Sequence, residues 1–390
     1  MDKAKKVDRD ERDCVVVAVT TRASLLLMKG VLERWKAEGY RPVFVCGDRV
    51  EKAEVGAETL QIPMGRDINP LRDFKAVLAM RKALLKLKPV MVDASTPKAG
   101  LVVTLAARLA DVPVRLYTLR GLPLETAKGL RRLIYWCSEK LAVACATHVV
   151  CVSESLRNSA VEKRLLSVRK AEVVGHGSSN GVDTEYFQPG ACDRHAVEAM
   201  RERLAWPEDA LVFGYIGRIH PDKGLVDLLE AWEIIRSREP RARLLLVGPN
   251  ELLSQRLLEK FNTMLKDDRV VWLGNQGDVR PCYELMDAFL FPSHREGFPN
   301  VLLESTAMQV PPVAYRVTGC QDAVRQTMTG LLVEPGDVKG FAEGALTLLE
   351  QVRDNPKFCQ DARNWVVENF ERQRHQDRLF ERYLSWVNGV

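Results

Sequence analysis

The stretch FPSHREGFPNVLLES, residues 291–305, decides how the rest of the chain is read. Residues 288–291 form a short apolar run of the kind that fills a buried strand. Pro292 and Ser293 end it. Glu296-Gly297-Phe298-Pro299-Asn300 follows, and Val301-Leu302-Leu303-Glu304 opens a helical pattern. Glu296 falls in the loop, and Glu304 falls about one turn inside the helix. Helical side chains lean toward the N-terminus, so both carboxylates can face the space above that end. The same end offers unpaired backbone N–H groups and partial positive charge, a place for phosphate. Carboxylates that hold hydroxyls, beside amides that hold phosphate, suit a sugar nucleotide. Taken alone, two acids at this spacing are common, and the spacing by itself favours a plain loop Glu followed by a helix Glu.

Outward from this stretch the chain keeps a strand–loop–helix rhythm. Apolar runs at residues 14–19, 42–46, 90–94, 113–117 and 149–152 read as strands of a first sheet, and runs at 211–216, 244–247, 270–273, 288–291, 312–315 and 331–333 as strands of a second. Helical patterns lie between them, at 25–36, 70–88, up to Leu109, and at 129–146. Strands alternating with helices argue for parallel sheets covered on both faces. Ligands of such sheets gather at the carboxyl ends of the strands. No GxGxxG follows the first strand, so a dinucleotide-binding half is not expected.

With 390 residues the chain is too long for one ordinary core, and two domains are expected. Its composition, 46% hydrophobic and 28% charged, is that of a soluble globular protein. No apolar run approaches the roughly 18 residues of a membrane span. The start, MDKAKKVDRDERD, reads as a weakly ordered polar tail and not as a secretory signal. Nine scattered cysteines without a CxxC pair or metal-ligand spacing suggest reduced thiols in the core of a cytoplasmic protein. The one DxD, Asp8-Arg9-Asp10, follows no strand and reads as solvated charge, so no metal or other cofactor is expected. Residues 1–190 are net basic and residues 191–390 net acidic. A basic half suits an anionic partner such as a membrane surface or a phosphorylated acceptor, although a solvated surface explains it equally well.

Three loops of the first half carry polar groups. Ser95-Thr96-Pro97-Lys98-Ala99-Gly100 follows a strand, and its hydroxyls with Lys98 suit either an acceptor's hydroxyls and phosphate or a plain helix cap. Thr118-Leu119-Arg120-Gly121 follows the next strand, and an arginine makes forked, permanent contacts with phosphate. The helix at 129–146 sets Arg131 and Arg132 beside Leu133, Ile134, Tyr135 and Trp136. That pattern fits both an in-plane membrane helix and a half-buried core helix. His176, in a Gly/Ser-rich loop running to Asp183, reads as a loop residue rather than a base.

At Glu296 and Glu304, with seven residues between them and a Gly-Phe-Pro-Asn insert, the chain resembles the E-x7-E motif of the retaining glycosyltransferases of family 4. Gly217-Arg218-Ile219-His220-Pro221-Asp222-Lys223-Gly224 resembles that family's diphosphate-gripping segment, and Asn180-Gly181-Val182-Asp183, followed by Phe187 and Pro189, its interdomain crossing. The resemblance covers most of residues 14–390 and implies an α/β chain of the GT-B class, two facing Rossmann-like domains with a cleft between them. Residues 1–188 would form the acceptor domain, with a last helix at about 373–390 packing back on it, and residues 189–372 the nucleotide-sugar domain. Arg218 and Lys223 would neutralise the leaving diphosphate, charge that develops in the transition state. Glu296 would hold the sugar and Glu304 the ribose. Gly217, Gly297, Phe298, Pro299 and Asn300 would line the donor, with Gln276 to Val279 beside the base. Lys98, Thr118 and Arg120 would lie on the acceptor or sugar side, with Arg120 standing where many members have the His of a His-Gly pair. No metal is needed in that scheme, and no nucleophile stands out.

The pattern STPKAG, TLRGLPLE and NGVD looks like bacterial enzymes of O-antigen, capsule or glycoprotein glycan assembly. It implies a UDP-sugar donor, an N-acetylhexosamine being the first to try and a GDP-sugar the second. The acceptor would be a glycan or a polyprenyl-diphosphate-linked sugar, reached from a peripheral position at the inner face of the plasma membrane. A sugar-nucleotide epimerase of similar fold and a non-catalytic binding module for anionic surfaces are the alternatives. Nucleic acid is not an expected partner, since no aromatics interleave with the basic clusters.

Overall fold

The structure, a computed structural model, describes residues 12–65 and 69–389. Asp8-Arg9-Asp10 lies outside the described residues. The chain divides into two compact units: one gathers the chain up to Cys151, Ala160–Glu172 and the stretch from Leu379 on; the other gathers Val152–Ser159 and Val173–Arg378.

The first unit holds seven parallel strands, β1 (Cys14–Val19), β2 (Arg41–Cys46), β3 (Glu58–Gln61), β4 (Met91–Ser95), β5 (Val114–Leu119), β6 (His148–Cys151) and β7 (Ala171–Glu172), in the order β3-β2-β1-β4-β5-β6-β7. Helices α1 (Val31–Ala37), α2 (Lys52–Val55), α3 (Pro70–Leu87), α4 (Pro97–Leu109) and α5 (Gly129–Cys145) fall between them, and α6 (Glu154–Glu162), which follows β6, belongs to the second unit up to Ser159. The run CVVVAV of β1 is apolar throughout because both of its faces are buried. Cys14, Val16 and Ala18 join Val43, Val45 and the inner faces of α3 and α4 in one core cluster. Elsewhere in this unit Trp35 of α1 is fully buried, its ring 4.9 Å from Phe380 and 6.0 Å from Tyr383.

The second unit holds six parallel strands, β8 (Leu211–Ile216), β9 (Ala242–Val247), β10 (Val270–Trp272), β11 (Ala288–Phe291), β12 (Pro312–Tyr315) and β13 (Leu331–Val333), in the order β10-β9-β8-β11-β12-β13. Its helices are α7 (Arg194–Leu204), α8 (Leu225–Arg238), α9 (Gln255–Met264), α10 (Arg280–Tyr283), α11 (Asn300–Ala307), α12 (Cys320–Ala323), α13 (Val338–Asp354) and α14 (Phe358–Phe370). The last helix, α15 (Arg372–Asn388), starts in the second unit and ends in the first.

Four local expectations change. The single helix read at 25–36 is a 3-10 segment, Arg22–Met28, followed by α1. Gly30 between them sits at φ 82, left-handed backbone that a right-handed helix cannot pass through. Residues 95–100 are not a loop: Ser95 ends β4 and α4 begins at Pro97, which is pre-set for a first helical position. Thr118 and Leu119 belong to β5 and do not follow it. β3 was not legible, because ETLQ on a sheet edge needs no apolar alternation.

Candidate functional site

In the second unit, β8 and β11 pair in parallel, with Ala288 opposite Phe213 and Phe289 opposite Gly214. Their carboxyl ends therefore release two loops side by side, residues 217–224 and 292–299. The loops touch backbone to backbone at Gly224. It sits at φ 75, and a Cβ there would lie 1.8 Å from the Pro292 carbonyl oxygen. The His294 N–H donates to the Asp222 carbonyl at 3.1 Å, and Arg295 Nη2 donates to Asp222 Oδ2 at 3.1 Å. His294 also faces Asp227 at 3.4 Å, while Tyr315 Oη donates to the other Asp227 oxygen at 2.6 Å. The hydrogen bond to Asp227 holds the His294 imidazole above its usual pKa.

This clasp sets Lys223 Nζ 2.5 Å from Glu296 Oε1, which also accepts from Ser293 Oγ at 2.7 Å. The motif glutamate thus sits among a cation, a hydroxyl and the start of α11. Arg218, on the first loop, pairs with Glu251. Gly217, before it, is the residue against which Gly248 packs.

Behind Glu296 the loop is fixed by its own backbone oxygens. Ser153 Oγ donates to the Gly297 carbonyl at 2.8 Å, Ser179 Oγ to the Phe298 carbonyl at 3.1 Å, and Asn300 Nδ2 to the Gly181 carbonyl at 3.2 Å. Gly319, at φ 80, presses on the Gly297 carbonyl, where a Cβ would come within 2.3 Å. Phe298 is buried, its ring 5.5 Å from Phe370. Pro299 is the residue that caps α11. Gly297, Phe298, Pro299 and Asn300 are therefore held by the fold itself, and the Asn300 side chain is already engaged.

Glu304 lies on α11, as the sequence places it. Burial pushes its carboxyl up to about 7, and Arg372 pulls it only partly back. Gln276 turns inward, its Nε2 donating to the Leu273 carbonyl at 2.7 Å. Val279 caps α10, next to the paired Asp278 and Arg280. Their backbone groups border the carboxyl edge after β10.

Of the three residues expected on the acceptor side, Thr118 and Arg120 share Asp93, and Lys98 pairs elsewhere. Thr118 is buried in β5 and donates to Asp93 Oδ1 at 2.9 Å. Arg120 follows β5, with Nη2 3.5 Å from Ser95 Oγ, and burial lowers its guanidinium while Asp93 supports its charge. Between Ser95 and α4, Thr96 holds φ 91, a costly backbone for a β-branched residue. Its hydroxyl lies 2.6 Å from that of Thr20. Lys98, by contrast, is buried and donates to Asp73 at 2.6 Å, so its charge is neutralised inside the unit. Asp93 went unread in the sequence. An acid inside the buried run MVDAS was its signal, because a charge in a two-faced strand needs a partner. His176 is an exposed loop residue, its ring 6.1 Å from Phe370. Among the described residues no three His, Cys, Asp or Glu side chains gather as a metal site.

Two family models match the chain: residues 27–177 match the glycosyl transferase 4-like domain, and residues 210–351 the group 1 glycosyl transferases. The capsular polysaccharide biosynthesis glycosyltransferase CapM of Staphylococcus aureus is 35% identical over 370 residues, 95% of this chain and 96% of CapM. The UDP-Gal:alpha-D-GlcNAc-diphosphoundecaprenol alpha-1,3-galactosyltransferase of Escherichia coli is 26% identical over 83% of this chain and 82% of its own. Among solved structures, Anabaena HepE in complex with UDP and glucose superposes with a TM-score of 0.77 at 17% identity, covering 95% of this chain and 99% of HepE. Two parallel-sheet α/β units, a glutamate pair bracketing a helix start, and a relative matched along nearly its whole length agree: the chain belongs to family 4 of the glycosyltransferases, on the GT-B fold, and is a sugar-transferring enzyme.

Proposed function

We propose that the protein transfers a sugar from a UDP-sugar, with retention of configuration, to a polyprenyl-diphosphate-linked saccharide in the assembly of a surface polysaccharide. The reading is supported by the names of its relatives, one a capsule enzyme and one a transferase to a diphosphoundecaprenol-linked sugar. The observation that carries it is the clasp of Lys223 on Glu296 at the mouth of α11. A bound donor meets there a cation for its diphosphate and a carboxylate for its sugar hydroxyls. Arg218 exchanges Glu251 for the diphosphate, and amides around Gly217, Gly297 and Phe298 add N–H donors. Glu304 accepts from the ribose hydroxyls, and the backbone of Gln276 and Val279 borders the base.

As the glycosidic bond breaks, negative charge moves to the leaving diphosphate. Arg218 and Lys223 stabilise that charge where it develops, which is the work a metal ion does in other transferases, so none is required. The leaving phosphate takes the acceptor's proton on the same face, and no protein nucleophile is used. Thr118 and Arg120 serve the acceptor side. Lys98 stiffens that side through Asp73, and it takes part in acceptor contact only if that pair opens. The enzyme works as a peripheral protein at the cytoplasmic face of the membrane that carries its acceptor.

The test is thermal stability with UDP, GDP and ADP at equal concentration. At 100 times its dissociation constant, UDP adds about 2.7 kcal/mol. The assignment fails if GDP or ADP shifts the protein more, or if none does.

A pH dependence follows from Glu304. The folded protein keeps this proton up to about 7, whereas the unfolded chain releases it near 4.5. Between those values the folded state binds more protons, so this residue's contribution to stability falls as pH rises. Donor binding runs the other way, because only the carboxylate accepts both ribose hydroxyls. Affinity for a UDP-sugar, whose diphosphate diester does not titrate here, is expected to rise about tenfold from pH 6 to pH 8. Calorimetry checks this, and Glu304→Gln should flatten the profile. Glu139, also raised to about 7 by burial, adds to the stability trend but not to the binding one.

A further inference from the structure

The helices α3, α4 and α5 are consecutive in the first unit, and α4 packs between the other two. Their outer surface departs from the rest of the protein in two ways. Nine of the thirteen large hydrophobic side chains that stand exposed among the described residues belong to these three helices. On α3 they are Leu71, at 79% exposure, with Phe74, Leu78 and Leu85, a spacing that repeats on one helical face. On α5 they begin with Leu130, at 71%, and continue with Leu133 and Ile134.

The second departure is charge. The three helices hold only two acidic residues, Asp73 and Glu139, and both are buried, one against Lys98 and one against Tyr117 Oη at 2.7 Å. Every exposed charge on them is therefore a lysine or an arginine, including Lys75, Arg81 and Lys82 on α3 and Arg131 and Arg132 on α5. Apolar stripes flanked only by cations suit one partner class. Acyl chains and the headgroup boundary take the leucines and the phenylalanine, and anionic headgroups take the cations. A protein partner or a second copy of this chain could cover the leucines, but would also have to supply acids against every cation.

We propose that the outer face of α3–α4–α5 docks the enzyme on an anionic phospholipid surface, with Leu71, Phe74, Leu130 and Leu133 entering the headgroup boundary. The inference deepens the proposed use of a lipid-linked acceptor by naming the face that meets the membrane, yet it stands on this surface alone. Failure to bind vesicles would leave the nucleotide assignment standing, and failure to bind UDP would leave the docking face standing.

The experiment is flotation of the full chain with vesicles of phosphatidylcholine alone, or with about one third phosphatidylglycerol. The wild type is expected to float with the anionic vesicles only, and to dissociate as salt rises. Arg131→Glu with Arg132→Glu should weaken partition on the order of thirtyfold. Leu71→Ser, Phe74→Ser, Leu130→Ser and Leu133→Ser combined should abolish it. All of these side chains are exposed, so no core is opened, and an unchanged UDP-induced thermal shift certifies the variants as folded. Equal flotation on neutral vesicles, or no flotation of the wild type, overturns the proposal. So does a concentration-dependent dimer that the serine variant loses while vesicle binding is retained, since the face then belongs to a second copy.

Discussion

Lys223→Ala is expected to lower turnover by on the order of 10²–10³-fold, the range seen when one preorganised donor to a developing charge is removed. Lys223 meets Glu296 at 2.5 Å, and its side chain is only 20% exposed. Its loss therefore also strands a carboxylate that keeps Ser293 as its other partner, at a cost of about 1–3 kcal/mol. The two effects separate in the double variant Lys223→Ala with Glu296→Gln. A neutral amide no longer needs the ammonium, so stability should return, while turnover stays low because the diphosphate still lacks its cation. Steady-state kinetics and thermal unfolding of both variants read this out. Turnover within a few-fold of wild type in the single variant would remove Lys223 from the reaction.

Gly224→Ala should be the most destabilising single-methyl change at the site. The residue sits at φ 75, and its Cβ would enter the Pro292 carbonyl at 1.8 Å. Neither strain relaxes by a rotamer change, because the atom met is backbone. Left-handed strain with enforced displacement amounts to about 3 kcal/mol. For a unit of about 200 residues that is a fall in Tm of roughly 6–12 °C. UDP stabilisation should vanish with it, since the displaced loops carry Lys223 and Glu296 apart. Gly336→Ala is the control. It has φ 86 with open space around the added carbon, so only the strain remains, about 1 kcal/mol. If both variants melt alike, the loop contact is not what holds the site.

The comparison of these two residues shows what a sequence exposes and what it hides. That Glu296 falls in a loop and Glu304 on the helix after it was legible, because an apolar strand followed by a helix start fixes both places; the roles proposed for them, and for Arg218 and Lys223, rest on the family resemblance. That Lys223 and Glu296 touch was not legible. It depends on β8 and β11 being neighbours, and five residues of loop geometry decide it. The pairing of Lys98 was not legible for the same reason, since its partner Asp73 lies on α3 and no local pattern links them. Asp93 stands out as an acid inside an apolar run, but its partners Thr118 and Arg120 lie on and just after another strand, and Gly30 is masked by a helical periodicity that runs straight across it. The βα rhythm itself survived because parallel strands buried on both faces are nearly all apolar, and such runs stand out in any context. The edge strand β3 did not, because its outer side needs no such run.

Trp35 lies on the first α-helix, and Phe380 and Tyr383, which its ring lies against, come some 345 residues later in the chain. During synthesis the whole of the second unit lies between them in the chain. The usual order, in which an N-terminal domain folds while the ribosome is still at work, is therefore interrupted here. The first sheet must wait with an indole exposed until some 340 further residues have emerged. Arrival of the α15 aromatics, rather than completion of the seven strands, is the event that closes the first unit.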